Sequence, residues 1–317
     1  MQPWSVQDMP PQDGRRVVVT GATGGIGYEA ALALAGAGAQ VMLTGRDAAK
    51  GAAALAGIRA RHPQARIRYE HLDLASLASV AGFAGRLAGE GQPLDLLVNN
   101  AGVMMPPTRH ATHDGFELQF GTNYLGHFAL TAQLLPLLRR ARAPRVVNVS
   151  SGAHRLRAAI HFDDLQWERR YQPWPAYAQS KLALLMFAFE LQRRSDAAGW
   201  GLLSNACHPG YARTGLQTSG PGLGRRDGLP WIARLSQLLA PLLSQSAAEG
   251  ALPTLYAAAA PEARPGGYYG PVGRFELKGP VGEAVIGAQA RDAGVAARLW
   301  QVSERLTGVH WPAEAEA

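Results

Sequence analysis

Tyr177-Ala-Gln-Ser-Lys181 sets a phenol and an ammonium four residues apart, and on a helix that spacing puts both on one face. An unperturbed tyrosine titrates at about 10 and is a poor general acid–base at neutral pH. A cation beside it favours the phenolate and lowers that value toward the working range, so the pair reads as a proton-transfer couple. The chain has nine tyrosines and three lysines (Lys50, Lys181 and Lys278), and only Tyr177 has a lysine four positions on. A surface tyrosine–lysine pair is the plainer use of the same residues.

The second group with chemical meaning is Thr20-Gly-Ala-Thr-Gly-Gly-Ile-Gly27. Its glycines allow positive φ and close approach of the backbone to a pyrophosphate, whose charge the free N–H groups of a helix start attract. The spacing is Gly21-x3-Gly25-x-Gly27 rather than GxGxxG, and a tight turn would also use such glycines. An NAD site places an acidic residue about 20 residues further on. Here Thr44-Gly45-Arg46-Asp47 puts Gly45 in that place, and Arg46 follows with a fork suited to a 2′-phosphate. NADP(H) is therefore favoured. NAD(H) stays the alternative, because Asp47 is placed to neutralise Arg46.

Both groups need a scaffold, and the chain alternates strand and helix patterns throughout. Arg15–Thr20, Gln40–Thr44, Ala65–Leu72, Leu94–Val98, Arg145–Val149 and Gly201–Cys207 read as strands, with Gly267–Gly270 as an edge strand. Helices are expected at Gly27–Gly38, Ala48–Arg61, Ser76–Leu87, Gly115–Arg140 and Pro175–Ala198. This is the rhythm of right-handed βαβ units, so residues 1–317 are expected to form one doubly wound α/β domain of Rossmann type with a mostly parallel, seven-stranded sheet. Residues 1–14 form an N-terminal extension. Residues 211–246 lie beyond a strand's carboxyl end and read as a substrate lid. Residues 278–317 read as a helical, polar C-terminal segment.

Composition narrows the classes. With 47% hydrophobic and 17% charged residues, the chain has material for a buried core and is too apolar for a disordered one. No run reaches the roughly 20 apolar residues of a membrane-spanning helix, and Met1–Gly14 has no signal-peptide core. A cytoplasmic protein without a transmembrane anchor is expected. Cys207 stands alone, which excludes an intramolecular disulfide and a cysteine-based zinc site. The net charge is +7, but basic pairs such as Arg15–Arg16 and Arg225–Arg226 are scattered and no nucleic-acid motif accompanies them, so no nucleic-acid partner is expected. His110 and His113 have no third ligand near them in the sequence, and no metal is expected.

From about Arg15 to Gly270 the chain resembles the short-chain dehydrogenase/reductase family. Thr20–Gly27 matches the glycine loop of its classical members, and Asn99-Asn-Ala-Gly102 their second signature. Asn123, Ser151, Tyr177 and Lys181 match the four catalytic positions, and His208-Pro-Gly210 with Thr214 matches the segment that closes over the nicotinamide. The resemblance implies hydride transfer between an alcohol and a ketone or aldehyde, with Tyr177 as general acid–base. It implies that Ser151 binds the substrate oxygen, Lys181 the nicotinamide ribose, and Asn123 a water that feeds Lys181. Cofactor contacts are implied at Gly21, Thr23, Gly24, Gly25, Ile26, Gly27, Arg46, Asp73, Leu74, Asn100, Ala101, Gly102, Tyr177, Lys181, Pro209, Gly210 and Thr214. The family also implies a homodimer or homotetramer through the helices around Gly115–Arg140 and Pro175–Ala198.

Ser151 and Tyr177 are separated by an insert, Ala153–Pro175, which resembles that of the retinol-dehydrogenase-like members and adds wall to the pocket. The apolar run Trp231–Leu243 suits a lipophilic substrate, a membrane surface or ordinary core packing. Two rivals stay open. Thr20–Gly27 also satisfies TGxxGxxG, the pattern of extended members such as NAD(P)-dependent epimerases and dehydratases. A dinucleotide-sensing protein without catalysis is the other, since fold alone does not fix function.

Overall fold

Three β-branched residues in a row, Val17, Val18 and Val19, are buried on both faces of the central strand β1, Arg16–Val19. The structure, a computed structural model, describes residues 3–213 and 244–312. After β1 come α1 (Gly25–Gly36), β2 (Gln40–Gly45), α2 (Ala48–Arg61), β3 (Arg66–His71), α3 (Leu77–Gly89) and β4 (Leu96–Asn99). The next helix, α4, starts at Leu118–Phe120, passes through a π-helical turn at Gly121–Leu125 and continues as Gly126–Leu138. Then follow β5 (Arg145–Val149), α5 (Pro173–Ala197), β6 (Leu203–Cys207), α6 (Ala247–Ala259), β7 (Tyr268–Pro271), β8 (Val281–Glu283) and α7 (Ala293–Thr307).

The strands make one sheet in the order β3-β2-β1-β4-β5-β6-β7-β8, parallel from β3 to β7. β1 pairs β2 on one side (Val17 with Val41) and β4 on the other (Val17 with Leu96). The chain therefore reverses its winding direction at β1, and the carboxyl ends of β1 and β4 form the crevice where such sheets take ligands. Alternating side chains feed two cores. Val18, Leu97 and Val146 pack with α3, α4, α5 and α7, whereas Val17, Val19, Leu96 and Val147 pack with α1, α2 and α6.

Among the described residues the sheet has eight strands, where seven were expected. Val281–Glu283 pairs antiparallel with β7, Tyr269 opposite Glu283, within the segment expected to be helical. Three residues with a central glycine carry no periodicity to read, and their role is to occupy the edge of β7. The expected helix Pro175–Ala198 starts earlier, with Pro173 at its first turn. The rest of the C-terminal segment is not simply polar. On α7, Leu299 and Trp300 are fully buried, and Trp300 packs against Phe128 of α4 and Phe187 of α5. The two long helices expected to meet a partner subunit are thus covered in part by their own chain. Among the described residues no helix is long and apolar enough to cross a membrane.

Candidate active site

The glycine loop leaves β1 at its carboxyl end and turns into α1, with Gly21 at φ +63° and Gly25 at φ +57°. Close approach explains two of its glycines. A Cβ on Gly21 would lie 2.9 Å from the Cα of Ala101, and one on Gly27 would strike the Asn100 amide and the Gly21 carbonyl, the latter at 2.7 Å. Gly24, the residue before α1, faces open space, where a side chain would fill the room that a pyrophosphate needs above the helix start. Thr23 lies on the loop against Gly45, whose added Cβ would sit 2.9 Å from the Thr23 methyl, and half-buried Ile26 packs beneath it in the α1 core. This cradle fits a dinucleotide.

Thr20, which the motif reading did not single out, holds the cradle together. Its hydroxyl accepts the N–H groups of Asn100 and Ala101 at 2.9 and 3.0 Å, while the Asn100 amide donates to the Thr20 carbonyl at 2.8 Å. The same hydroxyl lies 2.9 Å from Nε2 of buried His127, whose Nδ1 is 2.9 Å from the Asn123 carbonyl. A carbonyl only accepts, so Nδ1 carries the proton and Nε2 accepts from Thr20. Burial lowers the His127 pKa to about 3, which keeps the ring neutral. The signal for His127 was its place four residues after Asn123, on the same helix face.

Asn123 sits in the π-helical turn of α4, a distortion frequent at functional sites. Its amide accepts from Val103 N–H at 2.7 Å and donates to the Val103 carbonyl and the Ser180 hydroxyl, both at 2.9 Å. Gly102 lies where a Cβ would come 3.1 Å from Asn123 Oδ1 and 3.5 Å from Lys181 Nζ, so Asn123, Gly102 and Lys181 meet at one point.

Ser151 follows β5 and caps a 3-10 turn, Gly152–Arg155, by accepting from Ala153 N–H at 3.2 Å. Its hydroxyl is also near enough to the phenol of Tyr177 on α5 to pull that phenol's pKa down. Lys181, one turn on, donates to the Val149 carbonyl at 2.9 Å, and its Nζ lies 6.0 Å from the centre of the Tyr177 ring. Here the structure differs from the expected depression of the tyrosine. Burial pushes the Tyr177 phenol up to about 12, with the Ser151 hydrogen bond working against it, and brings Lys181 down to about 8. Both groups are enclosed, desolvation disfavours the charged form of each, and the ammonium is aimed at a backbone carbonyl.

The remaining expected contacts ring the same crevice. Arg46 is exposed just after β2 and next to the loop, where Tyr69 fixes the Gly45 carbonyl at 2.6 Å. Asp73, past β3, accepts from Ala75 N–H at 3.0 Å, Leu74 beside it is buried, and Ser76 caps α3. Pro209 and Gly210 follow β6. Thr214 and the apolar run Trp231–Leu243 lie outside the described residues. The insert Ala153–Pro175 is stitched to the helices by glutamines. Gln179 accepts from His161 N–H and donates to the Leu165 carbonyl, both at 3.0 Å, and Gln119 donates to the Pro173 carbonyl at 3.1 Å.

A crevice that joins a glycine cradle to buried Tyr177, Lys181 and Asn123 and half-buried Ser151 has known counterparts. The short chain dehydrogenase family model matches residues 15–221. The chain belongs to this family, in its retinol-dehydrogenase-like subgroup, and is an alcohol/carbonyl oxidoreductase. It is 44% identical over 305 residues to the polyprenol dehydrogenase of Mus musculus, covering 95% of this chain and 86% of that one. It is 42% identical over 308 residues to retinol dehydrogenase 13 of Homo sapiens, covering 96% and 87%. Among solved structures, an uncharacterized protein from Mycobacterium paratuberculosis matches with a TM-score of 0.79 at 41% identity, over 98% of this chain and all of that one. A short chain dehydrogenase from Shigella flexneri complexed with NADP matches with a TM-score of 0.61 at 25% identity, over 82% and 97%.

Proposed function

We propose that this chain is an NADP(H)-dependent oxidoreductase that interconverts a lipophilic alcohol with its ketone or aldehyde, using Tyr177 to move the proton. The observation that carries the reading is the burial of Tyr177 with Lys181, whose Nζ lies 6.0 Å from the phenol ring and beside the Asn123–Gly102 junction, with Ser151 at the end of the neighbouring strand. When bound, the nicotinamide supplies or takes the hydride at the reacting carbon. Ser151 holds the substrate oxygen next to the phenol, and Tyr177 gives that oxygen a proton in reduction or takes it in oxidation. Lys181 offsets the charge left on the phenolate. Thr20, Asn100 and Ala101 keep the glycine cradle open for the pyrophosphate, and exposed Arg46 is free to meet a 2′-phosphate.

Two lines support the lipophilic substrate. The names of the relatives, polyprenol dehydrogenase and retinol dehydrogenase 13, refer to alcohols with long apolar chains. Leu156, close after Ser151, and Tyr211, just after Gly210, are exposed apolar residues on the segments that border the site. The test is a fluorescence titration of the protein with NADPH and with NADH, followed by turnover on long-chain ketones and aldehydes. Wild type is expected to bind NADPH at least tenfold more tightly, and Arg46→Ala to erase most of that difference, about one charge-assisted phosphate contact. Tyr177→Phe is expected to bind NADPH normally and lose turnover. Equal affinity for both dinucleotides overturns the cofactor assignment, and an active Tyr177→Phe overturns the proton assignment.

A further inference from the structure

Beside the reacting groups lies a partly buried charged cluster that the proposed chemistry leaves without a task. Arg155 follows Ser151 by four residues, His208 opens the segment His208-Pro209-Gly210, and both reach one carboxylate. Arg155 Nη2 is 2.8 Å, and His208 Nε2 3.4 Å, from Glu276 Oε2. His208 Nδ1 accepts from Gly210 N–H at 3.3 Å, so Nε2 bears the ring proton; that buried nitrogen and Glu276 Oε2 make no well-aligned hydrogen bond, and Glu276 Oε2 meets its neighbours through charge at close range. The second oxygen of Glu276 accepts from Val285 N–H at 2.7 Å.

The turn that delivers this carboxylate is held in a costly conformation. Phe275 and Glu276 are consecutive non-glycine residues in the left-handed region, at φ +57° and +55°. The result inverts ordinary burial, because Phe275 is 72% exposed while the Glu276 side chain is 12% exposed. A turn serving stability alone would bury the ring and solvate the acid. The same turn grips the nicotinamide-side segment directly. The Leu277 carbonyl accepts from Tyr211 N–H at 2.7 Å, and a Cβ on Gly210 would strike that carbonyl.

We propose that Glu276 is a positioning residue whose carboxylate locks the turn carrying Ser151 to the segment that begins at His208. It thereby fixes the distance between the group that holds the substrate oxygen and the wall expected to lie against the nicotinamide. The inference rests on the function proposed above for its catalytic consequence, and on geometry alone for its mechanical one.

Glu276→Gln keeps the shape of the side chain and removes its charge. In the cofactor-free protein, amide exchange read by mass spectrometry is expected to accelerate together at residues 151–156 and 208–213, with β1 and β4 unchanged. In turnover, kcat per NADPH-binding site is expected to fall about tenfold, the scale of a small misplacement of reacting groups. Arg155→Met should reproduce both effects, and the double variant should fall no further than either single one. Unchanged exchange in either segment, additive losses, or a lowered Tm with kcat per site intact would overturn the proposal. If Glu276→Gln does not fold, Arg155→Met carries the exchange test by itself. An inactive wild type would count against the proposed function, and the exchange result would still decide the lock.

Discussion

At the residue scale, the proposed proton transfer turns on the buried pair Tyr177 and Lys181. The phenol, pushed up to about 12 by burial against the pull of its Ser151 hydrogen bond, is protonated throughout the physiological range. In the proposed mechanism it is thus ready to donate to a carbonyl oxygen, whereas accepting from an alcohol first requires its own proton to leave. Burial lowers Lys181 to about 8, so its ammonium is present below that pH and lost above it. The phenolate formed in reduction needs that charge beside it. For carbonyl reduction, kcat/KM is therefore expected to stay level at lower pH and to decline above about pH 8, while alcohol oxidation rises with pH. Steady-state profiles in both directions between pH 6 and 10 check this, and a reductive profile level to pH 10 would mean that Lys181 is not the titrating group.

Elements, not single residues, decide how closely the cofactor can approach. Gly27 belongs to α1 and lies where a Cβ would strike the Asn100 amide, with the Gly21 carbonyl 2.7 Å away. Gly27→Ala must push the helix start away from the turn after β4, which widens the cradle at the winding reversal. A loss of NADPH affinity of about a hundredfold is expected, the scale of a 1 Å misplacement, with secondary structure by circular dichroism preserved. Wild-type affinity would show that the loop adapts. Much at this scale was legible in the sequence. Arg145–Val149 and Ala48–Arg61 fall where the pattern put them, because long uniform runs of β-branched residues or helix formers leave little choice. The positions proposed as catalytic were named from the family resemblance, and the structure brings Asn123, Tyr177 and Lys181 into one neighbourhood near Ser151. What escaped was written in contacts between distant segments. β8 exists because β7 has an edge, Thr20 and His127 matter through each other across the sheet, and Glu276 acquires meaning only beside Arg155 and His208. The tyrosine's direction of shift escaped for the same reason, as enclosure is a property of the folded surroundings.

At the scale of the whole molecule, α7 determines what the long helices can meet. The Trp300 ring lies 5.1 Å from Phe128 and 5.7 Å from Phe187, Trp311 stacks on Trp200 at 6.0 Å, and the Tyr124 hydroxyl bonds Ser303 at 2.7 Å. From Ala176 to Leu191 of α5, every side chain except Phe189 is buried within the chain. Little apolar surface on this part of α5 is left for a second subunit, so sedimentation is expected to give the mass of one chain. Trp300→Ala should remove about 3–5 kcal/mol of stability, the usual range for truncating a buried aromatic residue, and uncover the Phe128–Phe187 face. That variant is then expected to self-associate with rising concentration while wild type does not. A wild type that sediments as a dimer, and whose mass Trp300→Ala leaves unaltered, would place the subunit contact on another face and leave α7 with an internal packing role alone.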